Sequence, residues 1–362
     1  DNPPYSASAV TRSPTPFAAT GESRTLLDLI ALAQPSRSVA GIDPSGFRNP
    51  YTTQSYFSVQ QAVGAGTVLE LAYNFTRGVR LPLVYNLNQV PLGQLTAQNR
   101  AAIQSALDAT GDATPVLAML RPYPAFDSIN FSTNNANSVY HAFTARLERR
   151  FRNDLNLLAA YTWAKSIDNA SDFSSGDASE QVLDSANLSG QRAVSSFDIP
   201  HRLTASATWQ MPWLRNRRWL GGWQWNAIVT LQSGQPFTPF VSSFDPFRNE
   251  AFNRPNVVGN PNANVPPGLA FNPAAFAAPA PGTFGNAGRN VVRGDGFHTV
   301  DLSLFKNLRL TEHTNLQLRL ESVNALNHVN FQGPATDIAG IPGAFIASAQ
   351  PRILQLGAKF QF

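Results

Sequence analysis

Five histidines, His141, His201, His298, His313 and His328, are the first residues to consider for chemistry. A zinc hydrolase needs two imidazoles one helical turn apart with a glutamate beside them, as in HExxH. None of the five has that or any other paired spacing, so they read as exposed or wall-lining residues. Asp168-Asn169-Ala170-Ser171-Asp172 gathers the oxygens that calcium prefers. It lacks the central glycine and closing glutamate of a calcium-binding hand. Gly285-Asn286-Ala287-Gly288-Arg289 has the glycines of a phosphate cradle, but no amphipathic helix follows, and it reads as a loop turn. With no cysteine there is neither a disulfide nor a thiolate metal site. The sequence therefore predicts no catalytic group, no metal and no cofactor, and a protein that is not an enzyme.

The elements that would position any site are strands. Charged residues make up 14% of the chain against 43% hydrophobic, where a soluble domain carries about 25% charged. Asn, Gln, Ser, Thr, Gly and Pro fill the difference, which suits a wall with one apolar face and one wet, mostly uncharged face. Of the 27 basic residues only Lys165, Lys306 and Lys359 are lysines, and the arginines are scattered. Nucleic-acid binding, which needs a clustered basic patch, is not expected. No apolar run approaches the ~20 residues of a membrane helix. The chain opens on Asp1-Asn2-Pro3-Pro4-Tyr5 rather than on a signal peptide, which reads as a fragment or a processed product.

Period two dominates. Leu203, Ala205, Ala207, Trp209 and Met211 share one face, opposed by Thr204, Ser206, Thr208 and Gln210. Trp223, Trp225, Ala227, Val229 and Leu231 repeat it. So do Leu316, Leu318 and Leu320; Val300, Leu302 and Leu304; Leu69, Leu71, Tyr73 and Phe75; Phe143, Ala145 and Leu147; and Leu155 to Trp163. A soluble β-sandwich alternates in the same way, but its strands average about 5–6 residues. Several segments here sustain the pattern for the ~9–11 residues of a tilted membrane-spanning strand.

Strands are expected at 54–62, 66–77, 138–151, 154–167, 199–212, 222–233, 297–308, 314–326 and 350–362, with another near 4–11. The connections then alternate. Short ones fall at 64–66, 152–154, 213–221 and 309–313, and long ones at about 78–137, 168–198, 234–296 and 327–349. Short periplasmic turns alternating with long outer loops mark a transmembrane barrel. The fold class is thus an all-β antiparallel transmembrane barrel, with residues 1–53 an upstream strand and outer loop and 54–362 its C-terminal strands. Trp209 and Trp225 lie about equally far from one short turn, and Tyr161 and Trp163 lie ~23 Å above theirs, near the top of a ~25 Å apolar band. These four are candidates for aromatic girdles. The loop from Asn253 to Pro281 is rich in Pro, Asn and Ala; its Phe252, Phe271 and Phe276 could hold a ligand but more often pin a loop to a rim.

The last residues, Leu354 to Phe362, place Leu354, Leu356, Ala358, Phe360 and Phe362 on one face. A terminal phenylalanine after such alternation resembles the assembly signal of outer-membrane barrels, which implies recognition of Phe360 and Phe362 by the barrel-insertion machinery. Longer landmarks run in order along the chain: Asn137 to Ala142 leading into Leu147 to Phe151, Tyr161 to Ala170, Phe197 to Arg202, Leu231 to Thr238, Phe271 to Phe276, Phe284 to Asn290, Asp301 to Asn307, Phe331 to Pro334 and Pro351 to Gln355. Together they resemble the Oar-like TonB-dependent receptors abundant in Acidobacteria. That resemblance implies a barrel of 22 strands, of which about ten are present. It also implies a carboxypeptidase-regulatory-like domain and a plug, neither visible here, and no TonB box can be assigned. The expected role is an outer-membrane receptor that takes up a bulky or scarce solute, such as a carbohydrate or peptide, with energy from the TonB system. A surface-adhesion or secretion-linked barrel and a soluble lectin-like β-protein are the alternatives.

Overall fold

The computed structural model describes residues 38–43 and 48–362 apart from 65, 153, 173–181, 213–216, 218, 243–244, 246 and 248–251, together with the backbone of 9–10 and 34–35. The strand expected near 4–11 lies outside the described residues except for Ala9–Val10, which pair with Gln34–Pro35.

Nine long strands form one antiparallel meander: β1 (Tyr51–Gly64), β2 (Thr67–Asn86), β3 (Ile129–Arg152), β4 (Leu155–Asp168), β5 (His201–Gln210), β6 (Trp223–Gln232), β7 (Phe297–Arg309), β8 (Asn315–Val323) and β9 (Ile353–Gln361). Among the nine, each pairs only with its chain neighbours, from β9 at one edge to β1 at the other. Val39–Ile42 runs parallel to the start of β3, and Ala193–Val194 caps β4. All nine expected strands are present. The sheet is not closed, since β1 and β9 do not pair with each other.

Register converts the alternation into two continuous faces. Gln61, Leu69, Leu147, Ala159, Ala205, Val229 and Val300 are partnered in one row across seven strands. Leu155, Trp209, Trp225, Leu304, Leu320 and Leu356 form a second row on the same face. Among the described residues nothing is packed over the large side chains of this face: Phe57 is 67% exposed, Leu356 85% and Phe362 95%. In a soluble protein such a surface would be buried against a second layer. Here the buried apolar residues of the strand ladders are mostly alanines, such as Ala72, Ala142 and Ala164 on the opposite face. Most large apolar side chains of the ladders point where lipid would be, with Leu158 and Ile228 among the exceptions on the inner register.

The apolar clusters of buried residues lie instead at the long-loop end. One joins Val90, Leu95, Ile103, Ala113 and Leu117; a second joins Phe271, Ala275, Phe276 and Val292; a third joins Leu83, Ala136 and Val182. The first lies within the long connection expected at about 78–137, which the structure shortens and fills with helices. β2 and β3 run on to Asn86 and from Ile129, and between them lie helices α1 (Ala97–Thr110) and α2 (Thr114–Leu120). Thr96 caps α1 by accepting from the Asn99 amide, and Gly111 closes it with a left-handed φ of 71°. α1 carries little amphipathic contrast and buries only Ile103 among its own residues, so the sequence gives no periodic helix signal there.

Candidate functional site: the inner wall and the loop-built mouth

The inner face of the sheet is polar, and its character changes along the strands. Near the short turns, Gln60, Gly66, Val68, Glu70, Arg146, Glu148 and Arg150 line a recess of about 360 Å³. Arg146 bridges Glu70 (3.5 Å) and Glu148 (2.9 Å), Arg150 bonds Glu148 (2.8 Å), and the Tyr56 hydroxyl donates to Glu70 (2.9 Å). Higher up, Thr144 and Thr162 hydroxyls meet at 3.2 Å, and the Asn226 amide donates to Ser303 (3.1 Å). The acidic residues of the nine strands, Glu70, Glu148, Asp168, Asp301 and Glu321, all take register positions on this inner face. The lipid-side face carries no carboxylate. A carboxylate is cheap beside water and costly in hydrocarbon, so the sorting marks which side is wet.

At the long-loop end, the loop joining β6 to β7 bends back onto the inner wall. Arg289 is buried and donates through Nη2 to the carboxylate of Asp168, the last residue of β4, and to its backbone carbonyl (3.3 Å). Asp198 is also buried. It accepts from the Ser166 amide (2.6 Å) and from Arg293 Nη2 (2.6 Å), while Arg293 Nη1 bonds the carbonyls of Asp198 (3.1 Å) and Gly234 (3.0 Å). Ser166 and Ser195 hydroxyls share a 2.8 Å bond. The Asn290 amide donates to the Val194 carbonyl (2.7 Å), and Arg254 donates to Gln191 (2.8 Å). Each buried charge thus has an opposite charge or a polar partner, as burial demands. The result is a fixed inner ledge, not a free loop.

Glycines permit the close approach. A Cβ on Gly285 would fall 1.8 Å from the Arg254 carbonyl oxygen, and one on Gly234 2.0 Å from that of Gly294. The stretch from Gly285 to Arg289 is therefore a loop packed backbone to backbone, as expected of a turn. Asp168, the head of the oxygen-rich stretch, is occupied by Arg289. Phe271 and Phe276 are buried with ring centroids 5.6 Å apart and pin the ledge from within, while Phe252 stays 39% exposed against Phe240.

The other expected positions are equally plain. Trp209 and Trp225 are direct register partners. Tyr161 and Trp163 lie on the outer face of β4, with the Tyr161 hydroxyl 2.8 Å from His201 Nδ1. Tyr73 and His141 repeat that contact at 2.7 Å. Phe360 and Phe362 project from β9 and the chain end with centroids 6.1 Å apart. Among the described residues no group of three or more His, Asp or Glu side chains could hold a metal ion.

The family model described as "Outer membrane beta barrel domain" matches residues 1–355. The chain belongs to that family. As an outer membrane β-barrel domain it resides in the outer membrane, and the unpacked apolar face is its lipid surface. No curated protein sequence matches it. Among solved structures it is similar to the outer membrane transporter YddB from Escherichia coli, with 12% identity, a TM-score of 0.50, and coverage of 92% of this chain and 35% of that one. It also aligns with the ferric-catecholate import receptor Fiu from E. coli K12 (10% identity, TM-score 0.43, 87% and 28% covered). A third is the FrpB iron transporter from Neisseria meningitidis (11%, 0.43, 90% and 32%). The likeness to YddB is one of fold. The chain spans about a third of the length of these structures.

The ledge is not legible from local sequence, since its ion pairs join residues over 90 apart. A signal did exist: Asp168, Asp198 and Arg289 each lie within a stretch that carries the family resemblance.

Proposed function

We propose that residues 54–362 are the C-terminal strands of a larger Oar-like, TonB-dependent receptor barrel that takes up a bulky or scarce solute such as a carbohydrate or peptide. Residues 1–53 are read as an upstream strand and outer loop of that barrel. The observation that carries this is the parity of the sheet. With nine antiparallel strands, β1 and β9 run in the same direction. They cannot close an antiparallel barrel on each other, and open edges are not tolerated in hydrocarbon, where each unpaired backbone group costs several kcal/mol. Further strands must supply the closure, as in a wider barrel. A wide barrel leaves room for a plug through which TonB would act, and the loop-built ledge narrows its outer mouth, where a solute would be received.

On this reading the short turns lie in the periplasm, Tyr161, Trp163, Trp209 and Trp225 form girdles, and Phe360 and Phe362 are presented to the insertion machinery. The test is uptake by cells making the full-length receptor, using labelled oligosaccharides and peptides of graded size, with and without TonB. Uptake above the size that general pores admit, lost without TonB, is expected. Equal uptake in the two strains would reject the energy-coupled reading.

A further inference from the structure

His298, near the start of β7, and His328, in the loop after β8, are 30 residues apart in sequence yet place Nδ1 of the first 3.1 Å from Nε2 of the second. Both rings are exposed, with centroids 5.1 Å apart. Their backbones are not left to chance. Buried Asn330 accepts from the His298 amide (2.6 Å) and donates to the His298 carbonyl (2.9 Å). Buried Asn324 does the same for His328, at 3.0 and 2.9 Å. Asn324 is itself fixed, with a left-handed φ of 49° and its amide on Asp301 (2.8 Å). Two asparagine clamps thus bring two imidazoles together.

The ring protons follow from the contacts. His328 Nδ1 lies 2.9 Å from the Val329 carbonyl. A carbonyl only accepts, so Nδ1 carries the proton and Nε2 turns a lone pair toward His298. A ligating histidine is ordinarily oriented in this way, its other nitrogen donating to a carbonyl. Gly296 leaves space for the His298 ring, since a Cβ there would sit 3.1 Å from His298 Nε2.

We propose that His298 Nδ1 and His328 Nε2 form a two-histidine site for a divalent transition-metal ion such as Zn²⁺, Cu²⁺ or Ni²⁺. Two imidazoles bound tetrahedrally at ~2.0–2.1 Å put their nitrogens roughly 3.3 Å apart, so the pair is already spaced for one ion. Imidazole selects these ions over Mg²⁺ and Ca²⁺, which prefer oxygen. Without a metal ion, His298 Nδ1–H donates to His328 Nε2. On binding, that proton moves to His298 Nε2 and both facing lone pairs reach the metal. The remaining positions are left to water or to donor atoms of an incoming molecule. The site stands on the outer surface at the long-loop end and is independent of the uptake reading.

The experiment titrates Cu²⁺ into the purified full-length receptor in detergent and reads bound ion by calorimetry and nitrogen couplings by electron paramagnetic resonance. One equivalent with two coupled nitrogens is expected. His298→Gln and His328→Gln should each weaken binding by about tenfold or more, whereas His141→Gln and His313→Gln should not. Heat-modifiable migration on gels confirms that every variant is folded. Absence of binding to the parent, or binding by His298→Gln and His328→Gln as tight as the parent's, would overturn the site.

Discussion

Trp209 and Trp225 are opposite each other across the β5–β6 ladder, each the direct register partner of the other. Two residues further into the same strands Ala207 faces Ala227, and on the opposite side Thr208 faces Asn226. Arginine at Ala207 or Ala227 should therefore destabilise the folded barrel in lipid by ~2–4 kcal/mol, as charge near the midplane does. Arginine at Thr208 or Asn226 should be tolerated beside water. Urea unfolding in liposomes measures both, and equal penalties on the two faces would sink the assignment of lipid and lumen.

The ion pair of Arg289 with Asp168 is buried on both sides. Arg289→Ala strands a carboxylate in the ledge and should cost about 3–5 kcal/mol locally. The loss should appear as faster hydrogen exchange across 285–294 and around Asp198, with the strand ladders unchanged. Removing both charges, as Arg289→Met with Asp168→Asn, should recover much of it. Unaltered exchange in Arg289→Ala would mean that the ledge is held by other contacts.

Acid should loosen a second latch. Asp337 accepts from the Ser242 hydroxyl and amide and from the Ala339 amide, tying the last long loop to the β6–β7 loop. Burial raises its carboxyl pKa, but the bonds from Ser242 and Ala339 outweigh that and hold it below the ordinary 3.8. A depressed pKa means that the contribution is present above 3.8 and is lost as pH falls through the folded value. Protease nicking near 336–338 should rise below that pH in the parent chain. Asp337→Asn should be cut readily at neutral pH and show no such step. A parent chain without the acid step would contradict the latch.

Phe362 is 95% exposed, and β9 is paired with β8 through nine register positions without it. Deleting it in the full-length receptor should change refolding into detergent by no more than ~0.5 kcal/mol, as for an exposed residue. If Phe362 is an assembly signal for the insertion machinery, as proposed, outer-membrane yield in cells should fall sharply. Undiminished yield would remove Phe362 as an assembly signal.

The sequence by itself determined the strands and their two faces. A membrane strand must alternate residue by residue, so the pattern at Leu203 to Met211 or Leu316 to Leu320 states the fold locally. Loop lengths then set the up-and-down order. Tertiary structure alone decided what the long loops do. Nothing local in Asp168, Asp198, Arg289 or Arg293 says that they meet, because a buried ion pair is specified by the chain's path through space and not by spacing. The same holds for His298 and His328, whose 3.1 Å approach depends on two asparagine clamps closing from different segments. Closure of the barrel is likewise not a local property: β1 and β9 each read as good strands, and only the sheet order shows that they run in parallel and cannot pair to complete an antiparallel wall.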